Sequence, residues 1–218
     1  VVQIVTDDMP YLVDSVVAEL ARRKLSVRRL VHPIVVVRRD LTRTLQEVLT
    51  GANPAEAPTG ALVESSMYVN VDRITDPDRA RQVHQRLLTV LTDVREVVED
   101  TEAMIGAAGA LADALTAVPP PLPAQELAEG TALLRWLADG HFIFLGYRRY
   151  ELVWKLTHDP ADGKAPALRA VLGSGLGALR RDSVATKDLR TGPDVDPLAR
   201  NLLVLTQASA PATVYRPV

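Results

Sequence analysis

Met67, Val69 and Val71 alternate with Tyr68, Asn70 and Asp72, the two-residue period of a strand in a sheet with one buried face. Such a sheet needs a covering layer on its apolar side, so the helical stripes nearby decide the fold. Val1 to Val5 form a β-branched run ended by Thr6-Asp7-Asp8-Met9-Pro10, a cluster of cap and turn residues. Leu12, Val13, Val16, Val17 and Leu20 then recur at helical spacing, while Asp14, Glu19, Arg22 and Arg23 point mostly away. Leu25 to Val27 and Ile34 to Val37 read as a strand, and Pro33, which cannot donate to a ladder, marks an edge or a bulge in it. Gly51 to Gly60 read as a loop or hairpin excursion. Asp76-Pro77-Asp78 supplies an N-cap, a first-turn proline and an acidic first turn for a second helix, whose stripe is Val83, Leu87, Val90 and Leu91. That helix is expected to end near Asp93, with Val94 to Glu99 as a fourth strand. The resulting order, β-α-β-β-α-β, predicts an α+β ferredoxin-like sandwich with both helices on one face of an antiparallel sheet.

Beyond residue 100 the pattern changes. Met104, Ile105, Ala108, Leu111, Ala112 and Leu115 keep helical spacing up to the stiff run Pro119-Pro120-Pro121-Leu122-Pro123. Leu127, Leu133, Leu134 and Leu137 predict another helix closed by Gly140, and His141 to Tyr150 reads as an aromatic-rich strand. Further strands are expected at 167–172, 201–207 and 212–218, with polar loops at 157–166 and 187–197. Three parts follow: a domain over 1–100, a helical connector over 101–140 broken at 119–123, and a partial antiparallel α+β unit over 141–218. The chain opens inside a β-branched run without an initiator Met and closes on an extended-looking segment, which reads as a piece of a longer protein.

Composition narrows function. The 218 residues carry 25 Lys+Arg against 27 Asp+Glu and no cysteine, which leaves no global field for nucleic acid or an anionic membrane and no thiolate chemistry. No apolar run reaches the roughly 18 residues of a membrane span, and no signal-peptide pattern is present, so the expected location is the cytoplasm.

Ile4 to Val16, Val31-His32-Pro33, Val36 to Asp40 and His141 to Arg148 resemble the N-terminal region of the large bacterial NAD-specific glutamate dehydrogenases. The likeness extends over Gly173 to Gly177 and Leu203 to Thr206. It implies an ACT-like regulatory domain followed by a PAS-like segment, with the dehydrogenase domain, its catalytic lysine and its NAD far downstream. The implied parent reaction is oxidative deamination of L-glutamate with NAD and water to 2-oxoglutarate, ammonia and NADH. The implied partners are the rest of the parent chain and neighbouring subunits, with no cofactor held by this segment.

Three features invite a chemical reading. Asp7, Asp8, Met9, Pro10, Tyr11 and Leu12 stand where ACT domains commonly carry Asp-x-Pro-Gly-Leu beside a bound amino acid, and Tyr11 replaces the glycine. The competing reading is that Asp7 or Asp8 caps the helix and Tyr11 packs as a staple. Gly173, Gly175 and Gly177, with Ala178, match a dinucleotide fingerprint in form, but Leu179 to Leu189 offers too few apolar positions for the packing helix the motif requires. A turn between strands is the preferred reading. Arg22, Arg23, Lys24, Arg28 and Arg29 lack interleaved aromatics and read as a solvated helix end or a subunit contact, with no nucleic-acid partner. His32, His84, His141 and His158 lack metal-ligand spacing. The expectation is a non-catalytic regulatory and assembly fragment that senses an amino acid. A ligand-free oligomerisation scaffold and a dinucleotide module at Gly173 to Ala178 are the alternatives.

Overall fold

The computed structural model describes residues 1–120, 122–156, 164–181, 187–188 and 213–215. They divide into two units, one of Val1–Arg95 with Thr213–Val218 and one of Glu96–Ala212.

The first unit is organised around one strand. β1 (Val2–Asp7) leads into α1 (Leu12–Arg22), followed by β2 (Val27–Val31), β3 (Ile34–Arg39), β4 (Leu45–Val48) and β5 (Leu62–Val71). On one edge β5 pairs antiparallel with β1, from Val2 opposite Val69 to Asp7 opposite Glu64. On the other edge it pairs first with β2 and then with β3, so β2 and β3 are one long strand interrupted at His32-Pro33. The interruption has a simple cause: Pro33 has no N–H to donate, while its carbonyl still accepts from Ser66 N at 3.0 Å. The β1–α1–β2 crossover places β1 and β2 parallel to each other with β5 between them, the split arrangement read from the sequence.

Ile4, Met67, Val69 and Val71 are buried on the sheet, and Leu12, Val16 and Leu20 are buried on α1. Each such side chain contributes roughly 1.5–3 kcal/mol by leaving water. α2 (Pro77–Ala117) starts as expected, with Asp76 Oδ1 accepting from Asp78 N at 2.9 Å. Val83, Leu87 and Val90 form its buried stripe in this unit.

One expectation fails here, and one element goes unread. Val94 to Glu99 is not a strand but the middle of α2, which runs for 41 residues, about 60 Å at 1.5 Å per residue. Buried positions 83, 87, 90, 94, 97, 104 and 108 keep one spacing through the segment, and that helical period overrides the local β-preference of Val94, Val97 and Val98. Consequently no strand follows α2 among the described residues of the first unit. The unread element is β4, which pairs with β3 in a hairpin. All four of its residues are exposed, so it carries no alternation to detect. The excursion at Gly51 to Gly60 does occur, and includes a 3-10 turn at Pro54–Glu56.

In the second unit α2 ends at Ala117, two residues before Pro119, where a following proline disfavours helix. α3 (Ala124–Trp136) passes into a π turn at Leu137–His141, closed by Gly140 at φ 86°. His141 to Leu145 do not form the expected strand; only Gly146–Tyr147 (β6) and Tyr150–Leu156 (β7) are extended. β7 pairs with β8 (Lys164–Ala170) over seven positions, and β6 pairs with β9 (Leu176–Gly177). β10 (Lys187–Asp188) extends the β7–β8 sheet. The loop expected at 187–197 thus begins as strand, and its remainder, 157–163 and the strand expected at 201–207 lie outside the described residues. Of 212–218, Thr213 to Tyr215 are described and are not strand; Val214 is buried and Tyr215 N donates to Ser15 Oγ at 2.9 Å.

Candidate functional site

A cleft of about 470 Å³ in the first unit is lined by Val5, Thr6 and Asp7 from the end of β1, Arg39 and Arg43 from the β3–β4 hairpin, Glu64 from β5, and Arg95 from α2. The strand register sets Asp7 directly opposite Glu64, two carboxylates that would repel. Each is met by an arginine. Arg39 grips Glu64 with both prongs, Nε to Oε1 at 2.6 Å and Nη2 to Oε2 at 2.9 Å, and Glu64 is 5% exposed. Arg95 donates to Asp7 Oδ2 at 2.7 Å and to Thr6 Oγ1 at 3.1 Å. Bidentate, charge-assisted contacts of this kind fix side-chain geometry as well as charge.

Arg43 is different. Its backbone sits at φ 66°, a left-handed conformation that costs a non-glycine residue energy. The turn is held by Asp40, whose carboxylate accepts from Thr42 N, Thr42 Oγ1, Thr44 N and Gln46 Nε2 at 2.6–3.0 Å. These donors, the Thr42 hydroxyl foremost, hold the Asp40 carboxyl below its ordinary range. Arg39 Nη1 also donates to the Arg43 carbonyl at 2.8 Å. Among the described residues the Arg43 guanidinium has no acidic partner. The cleft therefore presents one uncommitted cation beside carboxylates already engaged but partly accessible, Asp7 being 41% exposed. A small zwitterion matches this arrangement: its carboxylate to Arg43, its ammonium toward Asp7. The polar lining of the cleft consists of carboxylates, guanidinium groups and the Thr6 hydroxyl.

Of the six loop residues singled out from sequence, only Asp7 lines this cleft. Asp8 is exposed and its amide donates to Val63 O at 2.9 Å. Met9 is half-buried and Pro10 exposed, while Leu12 belongs to the core. The capping alternative also needs correcting: α1 has no side-chain cap, and its N-cap residue is Tyr11 at φ 70°. Arg95 escaped notice because its segment read as a strand, although the unbroken helical period was the available signal. Glu64 carried a signal too, as a lone carboxylate on the run that continues the alternating strand.

The glycine loop has a structural occupation. A Cβ on Gly175 would stand 2.4 Å from Leu179 O, and one on Gly177, at φ 58°, would stand 2.6 Å from Leu145 O. Gly177 N donates to Asp100 Oδ2 at 2.8 Å, and Arg180 binds Asp100 and Glu99 of α2. The chain's own atoms thus stand against Gly175 and Gly177, while Gly173 borders open space, and residues 178–181 form turns and bends where the dinucleotide motif needs a helix.

Other candidates scatter. His32 is hydrogen-bonded to Ser65 Oγ, His84 is exposed, and His141 stacks on Trp136 at 4.7 Å. His158 lies outside the described residues. Among the described residues no three His, Asp or Glu side chains gather as a metal site, and no helix is long and apolar enough to cross a membrane.

Comparison with known proteins gives consistent matches. Residues 1–87 match the family model described as the glutamate dehydrogenase ACT1 domain. The chain is 33% identical over 218 residues to an NAD-specific glutamate dehydrogenase of Pseudomonas aeruginosa, covering 99% of this chain and 13% of that protein. It is 31% identical to an NAD-specific glutamate dehydrogenase of Halomonas elongata, again covering 99% of this chain and 13% of the other. With one from Mycobacterium tuberculosis it shares 29% identity over 79% of this chain and 10% of that protein. The chain thus spans about 13% of the length of the first two of these curated relatives.

Proposed function

Because residues 1–87 belong to the glutamate dehydrogenase ACT1 domain family and the chain is homologous to the N-terminal portion of large NAD-specific glutamate dehydrogenases, we propose that this segment regulates and helps assemble such an enzyme without performing its chemistry. In this reading the parent protein is cytoplasmic and oxidises L-glutamate with NAD, and the NAD is held by other parts of the chain. The partners of the segment are those parts and neighbouring subunits, and the small second unit is the beginning of a PAS-like module.

The observation that carries the regulatory reading is the cleft with its uncommitted Arg43. An amino acid that bridges Arg43 and Asp7 would tie the β3–β4 hairpin to the end of β1. It would regulate only by binding one arrangement of the enzyme more tightly than another. Calorimetry of the chain with a panel of amino acids tests this. The expected result is saturable heat for at least one of them, weakened about tenfold or more in Arg43→Gln, as for loss of a charge-assisted hydrogen bond. Absence of heat at millimolar ligand removes the sensing role and leaves the ligand-free scaffold. One observation favours that second reading: Tyr11 places a Cβ and a ring at φ 70°, where the family pattern has a glycine.

A further inference from the structure

The second unit carries a hollow that involves neither the cleft nor the glycine turn. It measures about 430 Å³ and is lined by Gly109 of α2 and by Arg135, Trp136, Ala138 and Asp139, where α3 passes into its π turn. Turns of this type recur at functional sites. Arg135 Nη2 stands 3.2 Å from Asp113 Oδ1, an ion pair that joins the two helices and answers the arginine's charge. On α2, Gly109 leaves its side of the hollow bare, because a Cβ there would meet nothing within 4 Å.

Three apolar side chains at this corner stay in water: Trp136 is 45% exposed, Leu133, one turn earlier on α3, 46%, and Phe142 56%. The indole is held in place by its neighbours. His141 stacks on it at 4.7 Å with the ring planes 20° apart, His141 Nδ1 lies 3.0 Å from the Trp136 carbonyl, and Phe142 tilts against the same ring at 5.8 Å. His141 is not part of the lining, so the stack fixes the indole without filling the hollow. Asp139 is the odd charge. It lies at the C-terminal end of α3, the negative end of the helix dipole, where a carboxylate is disfavoured. Among the described residues it has no hydrogen bond or ion pair.

We propose that this corner of the second unit docks a polypeptide segment that presents an arginine, its guanidinium lying against Trp136 and bonded to Asp139. A guanidinium is flat enough to stack on an indole, and its fork matches a carboxylate. Trp136 and Asp139 line one hollow from positions three apart on the chain, so a single side chain reaches both. Because Arg135 is paired with Asp113, Asp139 is the unbalanced charge of the lining, which attracts a cation and repels an acidic segment. A free small molecule would leave Leu133 and Phe142 in water, whereas a segment with apolar residues flanking its arginine covers them. Tryptophan with apolar neighbours is a frequent anchor of such contacts. No residue of the amino-acid cleft takes part, so the two readings stand independently.

Titration of the whole chain with the blocked peptide acetyl-Leu-Arg-Leu-amide, read by nuclear magnetic resonance at the indole N–H groups, tests the proposal. The chain has two tryptophans, Trp136 and Trp154, and Trp136→Phe identifies the signal to follow. That signal should move saturably. Acetyl-Leu-Gln-Leu-amide with the wild type, and the arginine peptide with Asp139→Asn, should each bind about three- to tenfold more weakly. Gly109→Leu should abolish binding by filling the hollow while raising the melting temperature, since leucine replaces glycine within a helix where a Cβ meets open space. If Gly109→Leu melts below the wild type, Asp139→Asn, at an exposed position, decides alone. Arg43→Gln should bind the peptide as the wild type does. No saturable movement, equal binding of the glutamine peptide, or equal binding by Asp139→Asn overturns the proposal. So does tighter binding of free arginine than of the peptide, which would make the hollow a small-molecule site.

Discussion

The end of β1 and the Gly173–Gly177 turn both look like ligand sites in sequence, yet they differ in what the fold leaves over. At the turn Gly173 borders open space, but Leu179 O and Leu145 O crowd the positions a Cβ would take on Gly175 and Gly177, and the Gly177 amide is used by Asp100. At the β1 end the two carboxylates are answered by Arg39 and Arg95, and Arg43 remains without an acidic partner among the described residues. A loop is built for a ligand when its polar groups exceed what the protein itself can pair. Glycine alone does not distinguish the two cases, because it serves close packing of backbone on backbone as readily as contact with a phosphate.

Substitutions can break this contrast. The largest effect belongs to Gly177→Ala, which combines a positive φ with a Cβ 2.6 Å from a backbone oxygen. It should destabilise the second unit by about 2–4 kcal/mol in urea unfolding. A variant of wild-type stability would mean that the turn is loose enough to admit a ligand. Next is Glu64→Gln, which strands Arg39 beside a buried neutral amide and should cost roughly 2–3 kcal/mol. If unfolding midpoints did not move, the Arg39 grip would be ornamental and the cleft floor unfixed.

Much of the first unit was legible because its residues obey one period at a time. The alternation at Met67 to Asp72 and the stripe of α1 each match a buried face, and Asp76 caps α2 as the Asp-Pro-Asp pattern predicts. Legibility failed where two signals competed or none existed. Val94, Val97 and Val98 are β-branched locally but helical in the longer pattern, and β4 is exposed at every position. The cleft was half legible. Asp7 stood in a marked motif, whereas Arg39, Arg43 and Arg95 reach it through a hairpin and a helix whose positions no local pattern announces.

A smaller effect is expected with pH. The Arg180 side chain, foremost, and the Gly177 amide hold the Asp100 carboxyl below its ordinary range. The stability this contributes is present above about pH 4, the unfolded-chain value, and is lost as pH falls through the depressed folded value. Acid unfolding of the second unit should therefore be shallower in Asp100→Asn, and parallel acid limbs for the two proteins would contradict that role. The smallest effect is the stability of Arg43→Gln, which should stay within about 0.5 kcal/mol of wild type because the side chain has no acidic partner among the described residues. A larger loss would show that Arg43 is already committed within the protein.

The central proposal is that Arg43 at the β1 end, without an acidic partner among the described residues, belongs to a binding site and that the glycine turn does not. Backbone chemical-shift mapping during an amino-acid titration addresses it most directly. The account predicts saturable shifts at Val5 to Asp7, Arg43 and Glu64, with Gly173 to Ala178 unmoved. Shifts centred on the glycine turn with the β1 end silent would contradict it.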